Sequence, residues 1–474
     1  MSEEYKITIG IECHVQLNTK TKLFSAVDND AVDKEPNSCV SPFDYALPGM
    51  LPVLNKEAVH KAVQAGLAMN CKINLESRFD RKHYFYPDSP AGYQITQMYM
   101  PIIGAGEIHP VGFDAVRIHH AHLEGDAGKL THFDDYSLVD LNRAGTPLIE
   151  IVSQPDIHSA AQARAYCEEL HRLMIYSGAS NGDLYQGNMR FDVNTSVSKT
   201  DELGTRTEVK NLNSFRSVER AVEYEVKRQI EVLEKGGKVT QETRGWNDAT
   251  GKTTSQRSKE VAADYRYMPE PDIPPVVLTQ DYVNQVQADL AKMPDFYREK
   301  FEPLKLDESE REAILNYPLL AERLSEVCDK DVKLAPRVAH WYSGVLLSEE
   351  NLDKDFSLAT ANELAELSEM VEKNELSSTA GKEVFIGLYN KKNTSKTPHE
   401  LAKEMNLLQE NDEGALEQII DEVLQAPECQ KAAEDVRNGE MKAIGFLVGQ
   451  VMKKSKGKAN PGAVNKLIQK KLSQ

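Results

Sequence analysis

Apolar and polar residues alternate strictly from Ile7 to Leu17. Ile7, Ile9, Ile11, Cys13, Val15 and Leu17 fall on one face, and Thr8, Gly10, Glu12, His14 and Gln16 on the other. A period of two over this length predicts a half-buried β-strand. It places Glu12 and His14 side by side, a carboxylate–imidazole pair able to hold a divalent cation or move a proton. The same period recurs at Val116 to Glu124, where His120, His122 and Glu124 share a face. At Met189 to Val197 it sets Arg190, Asp192, Asn194 and Ser196 against Met189, Phe191, Val193 and Val197, and at Arg206 to Lys210 it groups Arg206, Glu208 and Lys210. Ser137 to Asp156 predicts two short apolar strands about a Gly-Thr-Pro turn. Helical spacing separates these strands. Asn55 caps a helix over Lys56 to Met69, and further helices run over Ser159 to Tyr176 and Phe215 to about Lys235, closed by Gly178 and by Gly236-Gly237.

From Met293-Pro294 onward the strand pattern disappears. Helical segments are predicted over Glu310 to Tyr317, Leu319 to Val327, Ala335 to Leu347, Thr360 to Lys373 and Thr379 to Tyr389, and a last helical module begins near Pro398 to Leu401. The expected class is α+β. A β-rich N-terminal domain with flanking helices spans 1–293, an all-helical domain 294–400, and a small helical tail domain 401–474. The block Arg78 to Gln97 is dense in Tyr, Phe, Pro and Gly, with Arg78, Arg81, Lys82 and His83 nearby. It is expected to line a pocket, with Phe79 and Phe85 packing in an aromatic minicore under it.

Composition narrows the class. The chain has 474 residues and six scattered cysteines, none in a CxxC pair, so neither a disulfide framework nor a cysteine zinc site is expected. No apolar run reaches bilayer length and the acidic start MSEEYK is no signal peptide, so a cytoplasmic location is expected. The net charge of −18 by itself argues against nucleic-acid binding. Its distribution changes that: Met441 to Gln474 holds eight lysines and no Asp, Glu or Arg. A basic end on an acidic body fits either a local polyanion contact or a solvated helical tail.

Four predicted strands each offer an acid on the polar face: Glu12, Glu124, Asp192 and Glu208, joined by His14. If the strands are neighbours, the acids converge, and clustered carboxylates are tolerated best around hard cations. A thiolate-free set favours Mg²⁺ or Mn²⁺ over zinc, and such sites typically hold nucleotide phosphates. Solvated acids on separate faces are the alternative. GWNDATGKT (Gly245 to Thr253) is not a phosphate-binding loop, since five residues separate its glycines where four are required; Asp248 to Lys252 reads as a hairpin turn.

IGIECHVQL, HYFYPDSPAGYQITQ, HLEGDAGK, DLNRAGTPLIEIVSQPD, TEVKNLNSF, DYRYMPEPD and GFLVGQVMKKSKGKANP occur in order along the chain. Together they resemble the B subunit of the aspartyl/glutamyl-tRNA amidotransferases over essentially its whole length. The resemblance implies a β-rich cradle, a helical domain and a tail that touches tRNA. It implies an ATP-dependent carbon–nitrogen ligase with glutamine as amido donor. The B subunit of that family binds mischarged Glu-tRNA(Gln) or Asp-tRNA(Asn) and phosphorylates the amino-acid side chain with ATP and Mg²⁺. A partner amidase, the A subunit, delivers ammonia, and a small C subunit ties the heterotrimer together. Carried over by motif, one cation site matches Glu12, Glu124 and Glu208, and the other matches His14, Asp192 and the residue after Glu124; Glu12 and Glu124 are the expected catalytic pair.

Two departures stand out. The family's Glu-Glu-Asp is Glu124-Gly125-Asp126 here, so the second cation site is weakened, completed by Asp126 or water, or absent. Of the family's four-cysteine zinc site only Cys39 remains, and no zinc is expected. Arg143, Arg190 and Lys210 are expected near the same surface, as contacts to phosphate or substrate carboxylate or as ion-pair partners of the acids. Lys453, Lys454, Lys456 and Lys458 are expected to contact the tRNA backbone. Two competing readings are a tRNA-binding assembly subunit with a decayed transfer site and a metal-dependent hydrolase without a tRNA role.

Overall fold

A computed structural model of the chain describes residues 5–258, 265–348, 355–390, 396–409, 413–438, 440–455, 459 and 461–472. These fall into two compact units, Met1–Pro294 and Asp295–Gln474. The first unit opens with β1 (Lys6–Gln16), followed by an irregular strap and α1 (Lys56–Ala68). Then come β2 (Glu76–Ser77), β3 (Asp80–His83), β4 (Tyr93–Thr96), β5 (Gly106–Ile108), the long β6 (Val116–Gly125), the hairpin β7 (Lys129–His132) and β8 (Ser137–Asp140), and β9 (Pro147–Ser153). Helix α2 (Ala160–Tyr176) leads to β10 (Met189–Ser198) and β11 (Thr207–Leu212). Helix α3 (Phe215–Glu234) leads to the hairpin β12 (Glu242–Asn247) and β13 (Lys252–Ser258), and β14 (Met268–Pro269), β15 (Val276–Val277) and α4 (Gln280–Asp289) complete the unit.

Eight strands form one sheet in the order β13-β12-β11-β10-β1-β9-β6-β5. Every pairing is antiparallel except β11 with β12. The period-two pattern is the physical reason. The odd positions of β1 (Ile9, Ile11, Cys13, Val15) are buried, as are Met189, Phe191 and Val193 of β10 and Ile149 and Ile151 of β9. They pack against Ala62 and Val63 of α1, Tyr166 and Leu170 of α2, and Val218 and Val222 of α3. Each such side chain contributes about 1.5–3 kcal/mol on leaving water. A one-residue register slip would turn a strand's whole apolar set away from the helices.

The helices begin where their caps are. The side chains of Asn55, Ser159 and Ser214 accept from the backbone N–H of Glu57, Gln162 and Ser217, satisfying donors left open at α1, α2 and α3. Residues 248–251 turn the β12–β13 hairpin, with Gly251 at φ +62°, as the sequence predicts. In the aromatic loop, Phe79 is buried and meets Phe24 edge-on at 5.5 Å. Phe85 corrects the expectation: it is 79% exposed, because it lies in the loop between β3 and β4, beyond the strands that carry the buried Ile95.

The second unit is helical: α5 (Pro294–Phe301), α6 (Glu308–Leu315), α7 (Pro318–Lys330), α8 (Ala335–Trp341), α9 (Ala361–Glu372), α10 (Ser378–Leu388), α11 (Pro398–Glu404), α12 (Glu413–Gln425), α13 (Gln430–Arg437), α14 (Ile444–Lys454) and α15 (Pro461–Leu472). The single helix expected over Ala335 to Leu347 is corrected. Its α-helical part stops at Trp341 and a π-turn runs over Tyr342–Leu346, where Ser343 Oγ donates to the Ala339 carbonyl at 3.2 Å, a local bond that competes with the helical ladder. Residues 416–472 have an apolar cluster of their own, including Leu416, Ile420, Leu447, Val451, Val464 and Ile468. Among the described residues, no helix is long and apolar enough to cross a membrane.

Candidate active site

The sheet order sets the chemistry of its polar face. β1 lies between β10 and β9, and β9 lies between β1 and β6. Glu12 stands opposite Asp192, His14 opposite Glu150, Glu150 opposite His122, and Asn194 opposite Glu208. The strands carrying the four acids expected from periodicity are thus gathered in one sheet, but β1 and β6 are separated by β9. That intervening strand brings Glu150, which the alternation of single strands does not select.

The tightest convergence is His14, Glu124 and Glu150, one ligand atom from each lying within 4.8 Å of the others. His14 Nε2 is 3.3 Å from Glu150 Oε2 and 3.6 Å from Glu124 Oε1. His122 Nε2 approaches the same two carboxylates at 3.6 and 3.8 Å, and Thr96 Oγ1 donates to Glu124 at 3.3 Å. Burial alone would discharge the His14 imidazole, but Glu150 and Glu124 reverse this and raise it to about 9. Burial likewise opposes charge on Glu150, yet His14, His122 and Lys82 hold its carboxyl well below the usual range. Protons thus offset the two carboxylates. Two carboxylate oxygens and one imidazole nitrogen, with no thiolate, form a donor set suited to a hard divalent cation.

Glu12, Asp192 and Glu208 form a second group. Asn194 donates to Glu12 at 3.1 Å. Lys210 Nζ lies 2.8 Å from Asp192 and 3.3 Å from Glu208, and Thr243 donates to Glu208 at 2.9 Å. Burial foremost, then Glu150, Glu208 and Asp192, push the Glu12 carboxyl up. Lys210 is therefore a countercharge between acids. Arg190 and Arg143 take the same kind of role toward Asp126, each at 3.2 Å, and Arg143 also donates to the Ala127 and Gly128 carbonyls at 3.1 and 2.9 Å.

Position 125 faces elsewhere. A Cβ on Gly125 would sit 3.7 Å from the Phe24 ring and 3.8 Å from Gly145 Cα, in a cavity of about 340 Å³ beside the cluster. Strand alternation turns residue 125 away from Glu124 and brings Asp126 back to the Glu124 side. The His14 cluster opens into a cavity of about 570 Å³ that is also lined by Lys82, Asp126, Arg190, Asp192 and Lys210. A further cavity of about 400 Å³ is lined by Gly10, Glu12, Ser153, Asn194, Ser196 and Arg206.

Lys82 is a cation that sequence reading placed only in a loop. It is mostly buried; burial opposes its charge, but Glu124 and Glu150 raise its amine above the usual range. Its signal was the basic run in Arg78 to His83. The signal for Glu150 is a lone acid inside an apolar run, between Leu148-Ile149 and Ile151-Val152. Lys453 and Lys454 lie exposed in the last turn of α14, and Lys454 pairs with Glu422 at 2.5 Å. Lys456 and Lys458 fall outside the described residues.

In the region expected to lack zinc, Cys39 is buried and its backbone N–H donates to Asn142 Oδ1 at 2.8 Å. Nearby, the buried Lys22 amine lies 3.5 Å from Asp44, which also accepts from Ser25 Oγ at 3.2 Å and from the Ser41 N–H at 2.8 Å.

Residues 7–284 match the family model of the GatB/GatE catalytic domain, and residues 323–472 match that of the GatB domain. The B subunit of the aspartyl/glutamyl-tRNA(Asn/Gln) amidotransferase of Geotalea daltonii is 46% identical over 483 aligned positions, covering 99% of both chains. That of Persephonella marina is 43% identical over 99% of this chain and 100% of its own, and that of Thermotoga maritima 43% identical over 99% of both.

Proposed function

Because the chain belongs to the B-subunit family of the aspartyl/glutamyl-tRNA(Asn/Gln) amidotransferases, we propose that it phosphorylates the side-chain carboxylate of Glu-tRNA(Gln) or Asp-tRNA(Asn) with ATP and Mg²⁺. Amidation by ammonia from a partner amidase, the A subunit, then gives Gln-tRNA(Gln) or Asn-tRNA(Asn). A small C subunit completes the heterotrimer. The observation that carries this reading is the convergence of His14, Glu124 and Glu150 at the edge of the cavity lined by Lys82, Arg190 and Lys210.

The chemistry requires activation. Ammonia cannot displace oxide from a carboxylate. Transfer of the ATP γ-phosphoryl group to a carboxylate oxygen yields ADP and an acyl phosphate. Attack by ammonia then forms the C–N bond and releases phosphate, with loss of a proton. His14, Glu124 and Glu150 would hold a divalent cation, which would supply charge neutralisation for phosphate oxygens. Lys82, Arg190 and Lys210 line the same cavity, and in this reading they turn from their paired acids to the anionic reactants. The 400 Å³ cavity is the nucleotide site in this reading: Gly10 has no side chain to fill it, and Asn194, Ser196 and Arg206 line it with polar groups. The exposed Lys453 and Lys454 of α14 hold the tRNA backbone.

The alternative of an assembly subunit with a decayed transfer site took its support from Gly125. Against it, a Cβ at position 125 would face the Phe24 ring and Gly145 Cα. The test follows γ-phosphate release by the chain co-purified with its amidase and small subunits, on adding Glu-tRNA(Gln) and Mg²⁺. Release that needs the mischarged tRNA and vanishes with Glu124→Ala is expected. Release equal to the Glu124→Ala control, with tRNA still bound, overturns the transfer reading in favour of the assembly role.

A further inference from the structure

The face of the sheet that packs on the helices is apolar along β1 and most of β10, but it is interrupted behind Asn194 and Glu208. There Thr195 and Thr207, opposite each other in register, face α3. Two fully buried residues of α3, Glu225 and Gln229, meet them. Gln229 Nε2 donates to the Thr195 carbonyl at 3.0 Å and lies 2.8 Å from Thr207 Oγ1. Glu225 accepts from Thr207 Oγ1 at 2.6 Å and from Thr253 Oγ1 at 3.2 Å, and pairs with Arg228 at 2.5 Å and Arg244 at 3.5 Å. One turn of helix thus ties β10, β11, β12 and β13 together.

Stability does not require this knot. Well-packed apolar groups of similar volume often match or exceed a buried ionic network. Gln229 Oε1 and Thr195 Oγ1 are moreover left without a partner. The local strand geometry does create a need. β11 pairs with β10 from Thr207 to Val209, and its register then shifts: Phe191 faces Leu212 and Val193 faces Val209, so β11 carries one extra residue at the bulge. Its other neighbour, β12, runs parallel and makes no hairpin with it. The short piece Thr207 to Val209 buries a single apolar side chain of its own, Val209. If the bulge moves by one residue, Glu208 and Lys210 turn from the site toward α3.

We propose that Glu225 and Gln229 are positioning residues that pin this piece of β11, so that Glu208, Lys210 and the adjacent Arg206 face Glu12, Asp192 and the nucleotide cavity. The inference rests on the transfer reading above. Its first variant is Gln229→Leu, which keeps volume and removes the bonds to Thr195, Thr207 and Glu225. Thr207→Val removes the hydroxyl from the strand side and keeps the branched shape. Both are measured in the chain with its partner subunits. KM for ATP is expected to rise about tenfold in each, with tRNA affinity unchanged. That rise corresponds to the working register being held by about a tenth of the molecules.

A covalent pin distinguishes positioning from general weakening. Val193 and Val209 face each other, within reach of a disulfide. Oxidising Val193→Cys/Val209→Cys in the Gln229→Leu background should return KM for ATP to within about threefold of the parent, and reduction should abolish the rescue. An unchanged KM in both single variants, or a formed disulfide that leaves KM raised, overturns the inference. If the unaltered chain itself shows no tRNA-dependent release of phosphate, the transfer reading fails instead.

Discussion

Glu150→Gln is the sharpest test of the site, because it concerns the acid that only the strand order reveals. The amide keeps the shape and removes one of the two carboxylate charges within 4.8 Å of His14. Partners one step removed from a metal ligand typically cost 10–100-fold in affinity when lost. A direct anionic ligand should reach the top of that range, so Mn²⁺ affinity should fall about 100-fold, or about 2.7 kcal/mol at about 1.36 kcal/mol per decade. A ligand that binds only the folded chain stabilises it by RT ln(1 + [L]/Kd). At saturating Mn²⁺ the loss corresponds to roughly 4 °C of the metal-induced rise in Tm for the unit Met1–Pro294.

The metal-free baseline moves as well. Against burial, His14, His122 and Lys82 favour the charged form of Glu150. The variant is therefore less stable without metal, and the quantity to compare is the Mn²⁺-induced shift of each protein. Thermal unfolding over a Mn²⁺ titration, with free Mn²⁺ read by electron paramagnetic resonance, gives both numbers. A Kd within twofold of the unaltered chain for Glu150→Gln, beside a lost response for Glu124→Gln, would refute the role of β9 in the site.

Three further outcomes are expected. Burial, with His122 and His119 beside it, lowers the His120 imidazole from 6.5 to about 4. Between those values the unfolded chain binds a proton that the folded chain does not, so stability is lost as pH falls from about 6.5 to 4. Discounted for partial exposure the loss is about 1–2 kcal/mol, and His120→Gln should flatten the urea midpoint over that window. Replacing Lys453, Lys454, Lys456 and Lys458 with alanine should reduce the slope of log affinity for tRNA against log salt by up to about 3; an unchanged slope would mean that the tail is not the contact. Asp44→Ala leaves the fully buried Lys22 amine without its carboxylate and should cost about 3–5 kcal/mol, measured by urea unfolding, whether or not metal is added.

Periodicity by itself determined much of this protein. Strict alternation identified β1, β10 and β11 and assigned Glu12, His14, Asp192 and Glu208 to the polar side, because a strand's side chains must alternate whatever it pairs with. Asn55, Ser159, Gly178 and Gly236 bounded the helices through local bonds and backbone freedom. The seven ordered motifs pointed to the family without any coordinate. What periodicity cannot report is which strands are neighbours, since sheet order depends on long-range packing of the apolar face. Only the tertiary structure inserted β9 between β1 and β6, bringing Glu150 and not Asp192 to His14 as the nearest acid. It alone turned residue 125 toward Phe24 and Asp126 toward Arg190 and Arg143, and showed Lys210 neutralising Asp192 and Glu208. These are distances between residues remote in the chain, decided by which apolar faces α1, α2 and α3 can cover together.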